Sequence, residues 1–189
     1  MPQVSVRNRL VEHAEAVFRR NGFSGASIQD LTQAAGVPKG SFYNHFESKQ
    51  DLAAEIVTCY VRAIDFSPLT GSGPAVERLR EHLIAQIERI RAYGTEFGCL
   101  LGSFANDGAL VGEKVRTSVR EALASWADAI GATIEEGQAA GEITTRRSAT
   151  ALAAFLLDLL QGATLRARIS EADTFLADEV SIALDALRV

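Results

Sequence analysis

The chain holds only two cysteines, Cys59 and Cys99, in 189 residues. Two thiols cannot build a disulfide framework or a four-ligand structural zinc site. Long apolar runs are missing too, and none approaches the roughly 18 residues that a membrane-spanning helix needs. The opening MPQVSVRNRL lacks the apolar segment of a signal peptide. Sustained polar–apolar alternation is absent, so no sheet is expected. These absences lead to the expectation of a cytoplasmic all-α protein with no membrane association, no metal and no cofactor.

Catalytic groups are equally sparse. The three histidines are His13, His45 and His82, and no Ser/His/Asp or Cys/His constellation surrounds any of them. No phosphate-binding glycine loop follows a strand. His82 stands four residues from Arg78 and one from Glu81, which reads as a solvated helix face. An enzyme would need Cys99 and His82 to meet across the fold, and nothing in the spacing calls for that. No enzymatic activity is expected.

What the chain does hold is an ordinary globular composition, 47% hydrophobic and 23% charged, with a net charge of -5. The charge is unevenly spread. Residues 1–50 carry six bases against four acids, giving +2, which leaves -7 for the remainder. A slightly basic head on an acidic body is compatible with a head that meets phosphates.

Apolar residues recur at helical spacing along almost the whole chain. The first stripe is Val6, Leu10, Ala14, Val17 and Phe18, stopped at Asn21-Gly22. Ser27 opens a short helix, with Asp30 three residues on as a capping box requires, and Gly36-Val37-Pro38 breaks it. A second short helix is expected over 39–46, and Ser48 caps a third with Asp51 three residues on. Thr70 to Pro74 is the clearest loop. Further helices are expected over about 75–92, 113–139, 146–169 and 171–187, with a glycine-interrupted apolar stretch from Tyr93 to Gly112 and a turn from Gly137 to Ile143. The expectation is about nine helices: a three-helix head at 1–47 and a helical ligand-binding and dimerisation body at 48–189.

The segment SIQDLTQAAGVPKGSFYNHF is the most informative. Leu31, Ala35, Val37, Phe42 and Phe46 supply contacts that fix two short helices at a steep angle. Such a pair lays its second helix in the DNA major groove. The outer face of that helix offers Lys39, Ser41, Tyr43, Asn44 and His45, each able to bond phosphates or base edges. Two short helices can also pack this way in an ordinary all-α core.

The run AAGVPKGSFYNHFESKQDL, with FRRNGFSGASIQDL upstream, closely resembles the DNA-binding head of the TetR family of bacterial regulators. Thr32 departs from the small residue usual at its position and is expected to shift the interhelical angle slightly. The resemblance implies a double-stranded, palindromic operator as partner, with Ser27, Lys39, Gly40, Ser41, Tyr43, Asn44, His45 and Lys49 at the DNA surface. Ser27, Tyr43 and Lys49 would hold phosphates, while Asn44 could pair with adenine and Lys39 read guanine. Phosphate contact or plain solvation stays open for Asn44 and His45.

One such head reads half a site, so the resemblance also implies a homodimer. Between Ala149 and Leu165 only Asp158 is charged, and there are more large apolar residues than one core stripe requires. Leu152, Leu156, Leu159, Leu160, Phe175, Val180 and Leu184 are the expected interface; a wholly buried helix is the alternative. The family's body takes a small effector, and Tyr60, Ile64, Phe97, Leu101, Phe104, Trp126 and Phe155 are the candidates to line its pocket, though each can equally be core. Few charges fall on these stripes, so an apolar or aromatic effector is expected, and its binding should release the operator. Cys99, in Phe97-Gly98-Cys99-Leu100-Leu101-Gly102, resembles a motif of a subgroup that includes electrophile sensors, which makes a thiol sensor the alternative. A purely structural helical dimer would leave the helix-turn-helix unexplained.

Overall fold

The computed structural model describes residues 5–169 and 175–189, the side chains of 175 and 176 excepted. Among these residues it contains eight α-helices and four short 3-10 helices: α1 (Val6–Gly25), α2 (Ile28–Ala34), α3 (Lys49–Arg62), α4 (Ala75–Tyr93), α5 (Leu100–Asp107), α6 (Glu113–Ala139), α7 (Ala149–Ala167) and α8 (Phe175–Leu187). With the 3-10 helix Lys39–Asn44, that is the all-α arrangement the periodicity predicts.

The chain divides into two compact units, though not at residue 47. Residues 1–63 and 100–122 form the first, and residues 64–99 and 123–189 the second. The reason lies in side chains that the local pattern does not locate. α3 buries Leu52, Ala53, Ile56, Val57 and Tyr60 and packs against α1, so it belongs to the head. α5 also packs on α1, where the Phe104 ring meets Phe18 edge-on at 5.3 Å and Phe23 at 6.1 Å.

Helix starts in the first unit follow local polar chemistry. Ser5, Ser27 and Ser48 each accept a backbone N–H from three residues on, satisfying donors that a helix start leaves orphaned. The stop at Asn21-Gly22 is real but incomplete: Gly22 takes φ +69°, and one further turn runs on to Gly25. α2 ends in a Schellman turn, with Gly36 N–H donating to Gln33 O at 3.0 Å and Val37 N–H to Thr32 O at 2.9 Å. Gly36 sits at φ +61°, the left-handed region that glycine enters without penalty.

In the second unit α4 packs on α7 and α8, and α7 packs on α8. The expected turn from Gly137 to Ile143 begins three residues late, because α6 continues to Ala139. Gly137 is there for closeness instead: a Cβ on it would stand 2.6 Å from Ile143 Cδ1 and 2.8 Å from Ala75 Cβ. Glu142, just beyond, accepts the Ala75 N–H at 2.7 Å and caps α4. An isolated antiparallel bridge, Ile143 to Arg188, ties the chain's end to the α6–α7 connection. No described helix is long and apolar enough to cross a membrane.

Candidate nucleic-acid interface

The recognition segment is anchored from within and open without. Phe42 and Phe46 are buried, with ring centroids 5.7 Å apart, and their backbones join through Phe46 N–H to Phe42 O at 3.0 Å. The helix is 3-10 over Lys39–Asn44, shorter and tighter than the expected 39–46. Pro38 gives its start no side-chain cap, Gly40 weakens helical preference, and six residues are few for α-helix to propagate. Arg9 braces the preceding turn by donating to Gly36 O at 2.9 Å.

With Phe42 and Phe46 inward, Lys39, Gly40, Tyr43, Asn44 and His45 point to solvent, and Ser41 is half-buried. Tyr43 is 60% exposed, its ring edge-on to Phe42 at 5.4 Å. A Cβ on Gly40 would meet nothing within 4 Å, so the backbone here is free to be approached closely. Thr32 is buried, and its hydroxyl donates to Ile28 O at 2.8 Å. The group is satisfied, and back-bonding of this kind bends a helix gently.

Two of the three residues expected to hold phosphates have their donors engaged. Ser27 donates both its hydroxyl, at 2.7 Å, and its backbone N–H, at 2.8 Å, to Asp30 Oδ2. The hydroxyl hydrogen bond, then the backbone one, holds the Asp30 carboxyl below its usual range. Lys49 Nζ donates to Phe23 O and Ala26 O, both at 2.7 Å, and lies 4.2 Å from the Phe23 ring centroid. Burial pushes the Lys49 ammonium down, and the nearby Asp107 carboxylate works against that shift.

The expected dimer residues sort onto two faces. Leu152, Leu156, Leu160, Val180 and Leu184 are buried in the chain's own core, on helices that pack on each other, which leaves them little surface to offer a partner. Phe175 has its side chain outside the described residues. Leu159 is half-buried and lines a groove of about 400 Å³ with Phe155, Gly162, Ile182 and Ala186. Phe155, expected in a pocket, is 48% exposed here, and Ile182 is 69% exposed.

The other pocket candidates divide between the units. Tyr60, Leu101 and Phe104 are buried in the first, where the Arg19 guanidinium lies 5.6 Å from the Tyr60 ring centroid. Ile64, Phe97 and Trp126 belong to the second. Trp126 there donates its indole N–H to His82 at 2.8 Å. His82 is fully buried, against the expected solvated face. It stands three residues after Leu79 and one before Leu83, on the buried stripe of α4, a spacing that outweighs its charged neighbours. Cys99 is buried directly before α5, with the Gln161 amide nitrogen 3.5 Å from its sulfur. Cys59 is half-buried in α3. Arg9 and Asp107 were not anticipated, since both act on backbone groups 27 and 84 residues away.

Comparison with known proteins agrees with this geometry over head and body alike. Residues 10–56 match the family described as bacterial regulatory proteins, tetR family, and residues 75–181 match the tetracyclin repressor-like C-terminal domain. The repressor DhaR of Mycobacterium sp. strain GP1 is 35% identical over 99% of this chain and 94% of its own length. Among solved structures, a TetR-family regulator of Agrobacterium tumefaciens superimposes with a TM-score of 0.88 at 24% identity, over 97% of this chain and 98% of the other. A cysteine-substituted CifR, crystallised with a 26-base-pair operator duplex, gives 0.83 at 27% identity, over 98% and 99%. Over head and body together, the chain belongs to the TetR family of transcriptional regulators.

Proposed function

We propose that the chain is a cytoplasmic repressor that binds a palindromic operator as a homodimer and leaves it when a small, largely apolar effector binds the body. The observation that carries the DNA reading is the exposed set Lys39, Tyr43, Asn44 and His45 on a rigidly anchored helix. Repression follows the relative DhaR, which is named as a repressor. The open apolar groove of α7 and α8 suits a second copy: both chains present Phe155, Leu159 and Ile182 to a two-fold axis, forming four helices around it. An apolar effector suits the stripes that carry Ile64, Phe97 and Trp126, on which few charges fall.

Release requires that effector and operator oppose each other, because a ligand shifts an equilibrium only through its differential affinity for the two states. The experiment selects a duplex from a random library with the purified chain, then screens small apolar compounds by Trp126 fluorescence. A selected site with two inverted half-sites, and an effector that binds less tightly when the duplex is present, are expected. An effector with equal affinity in both titrations overturns the release mechanism.

A second reading, thiol sensing at Cys99, is favoured by one contact. The Gln161 amide group donates to the Cys99 sulfur at 3.5 Å, a polar partner for a side chain that could otherwise be plain core. CifR, at 27% identity, was crystallised in a cysteine-substituted form. Loss of operator binding after N-ethylmaleimide, retained in Cys99→Ser, is the expected result; loss in both variants removes this reading.

A further inference from the structure

The backbone of Phe23 is held on both sides of its Cα. Its N–H donates to Asp107 Oδ2 at 2.7 Å from the end of α5, and its C=O accepts Lys49 Nζ at 2.7 Å from the first turn of α3. The clamp sits where α1 has lost its own continuity, one residue beyond Gly22 at φ +69°. Past that kink the chain cannot rely on the helical ladder to fix its direction. The second Lys49 bond, to Ala26 O, lands on the residue immediately before Ser27, the N-cap of α2. One ammonium therefore sets both where α1 ends and where α2 begins, and α2 carries the turn that presents the recognition helix.

From this geometry we infer that Lys49 and Asp107 are positioning residues for operator binding, acting through the backbone of Phe23, and that Lys49 makes no phosphate contact. An ammonium has three donors; two are committed to carbonyls, and the half-buried group lies over the Phe23 ring and feels the attraction of the Asp107 carboxylate. Drawing the ammonium outward to a phosphate would cost one or both carbonyl bonds and leave Phe23 or Ala26 with an unpartnered acceptor. Asp107 supplies the counter-charge that keeps a cation at that depth. The two residues form one device, contributed by elements 58 positions apart in the chain.

The salt dependence of binding separates positioning from phosphate contact. Each phosphate contact adds about 0.9 to the slope of log K against log salt. A selected operator duplex is titrated between about 50 and 200 mM salt with wild type, Lys49→Met, Asp107→Ala, Asp107→Asn and Lys49→Met/Asp107→Ala, all at a temperature where each is folded. Lys49→Met and Asp107→Ala should each weaken binding about tenfold, as the loss of one or two charge-assisted hydrogen bonds would, with the slope unchanged. Asp107→Asn, which keeps an acceptor for the Phe23 N–H, should recover part of the loss. The double variant should bind no more weakly than the worse single one, since both act through the backbone of one residue. Amide exchange should quicken at Phe23 in Asp107→Ala while the other head amides keep their protection. Because the inference rests on the recognition face, Tyr43→Ala is included: wild-type binding by that variant counts against the face itself and not against the clamp. A slope lower by about one unit in Lys49→Met, or undiminished binding by Lys49→Met and Asp107→Ala, overturns the inference. Should Lys49→Met fail to fold, an unprotected Phe23 amide in the wild-type chain overturns it equally.

Discussion

The indole N–H of Trp126 donates to Nε2 of His82 at 2.8 Å in the interior of the second unit. That contact makes Nε2 an acceptor, so the ring proton is on Nδ1, which faces the Asp65 carbonyl at 3.0 Å. The neutral ring is stacked on Phe66 at 5.5 Å. Protonation would set a second N–H against that of Trp126.

The first prediction follows from the sign of this arrangement. Burial holds His82 below its ordinary value of 6.5, more strongly than the Asp65 carbonyl and carboxylate raise it. Below pH 6.5 the unfolded chain takes up a proton that the folded chain refuses, so stability falls as pH drops from there toward the lower folded value. Above pH 6.5 the contribution is complete. Denaturant midpoints measured at about pH 5 and pH 7.5 should differ, and the difference should shrink in His82→Gln. Equal midpoints in wild type would remove the buried neutral histidine.

The second prediction separates the two faces of α7. Leu156 is fully buried within the chain and Phe155 beside it is half exposed. Leu156→Glu places a charge in the core and should prevent folding. Phe155→Glu and Ile182→Glu should leave a folded chain of unchanged helicity that is monomeric by light scattering and binds the operator weakly. A dimeric Phe155→Glu/Ile182→Glu chain would move the interface elsewhere.

Much of the head was legible because its chemistry is local. Ser27 and Asp30, or Ser48 and Asp51, find each other within one turn, and Gly36-Val37 closes its own backbone bonds. On α7 the sequence shows two apolar stripes, 152–156–160 and 155–159, each with helical spacing. Nothing local says which one faces the chain's own core and which remains open. The charged neighbours of His82 point to a solvated face, whereas its place beside Leu79 and Leu83 puts it on the buried one. The partners of Lys49 and Arg9 are backbone carbonyls that only the folded chain brings near, and a carbonyl carries no signal in a sequence.

The third prediction contrasts two glycines. Gly36 sits at φ +61°, and a Cβ there would stand 2.6 Å from an Arg9 guanidinium nitrogen. Arg9 can swing aside, but it then leaves the Gly36 carbonyl, and a left-handed alanine costs about 1–2 kcal/mol. Gly36→Ala should therefore lower thermal stability and operator affinity together. Gly40→Ala meets no atom, so the fold should melt as wild type does while DNA binding weakens. A Gly40→Ala chain that binds normally would show that this stretch of backbone does not approach DNA.

The fourth prediction concerns how the recognition face divides its labour. Tyr43 projects from the segment with its ring braced on Phe42, which aims the hydroxyl outward at low entropic cost. A phenol is a neutral donor and offers a phosphate one hydrogen bond, independent of sequence. Tyr43→Phe should weaken the selected operator and a scrambled duplex by the same factor and leave the salt slope intact, because no cation is lost. Asn44 and Lys39 can pair with base edges instead. Asn44→Ala and Lys39→Ala should lose about 1–3 kcal/mol on the operator, much less on the scrambled duplex, and relax preference at one base position per half-site. Fluorescence anisotropy on duplexes substituted one position at a time reads each effect separately. Should Asn44→Ala lower affinity for all duplexes equally, Asn44 serves the phosphate backbone and the base reading falls to Lys39 alone. Should all three variants bind as wild type does, the exposed face of Lys39–Asn44 is not the surface that meets DNA.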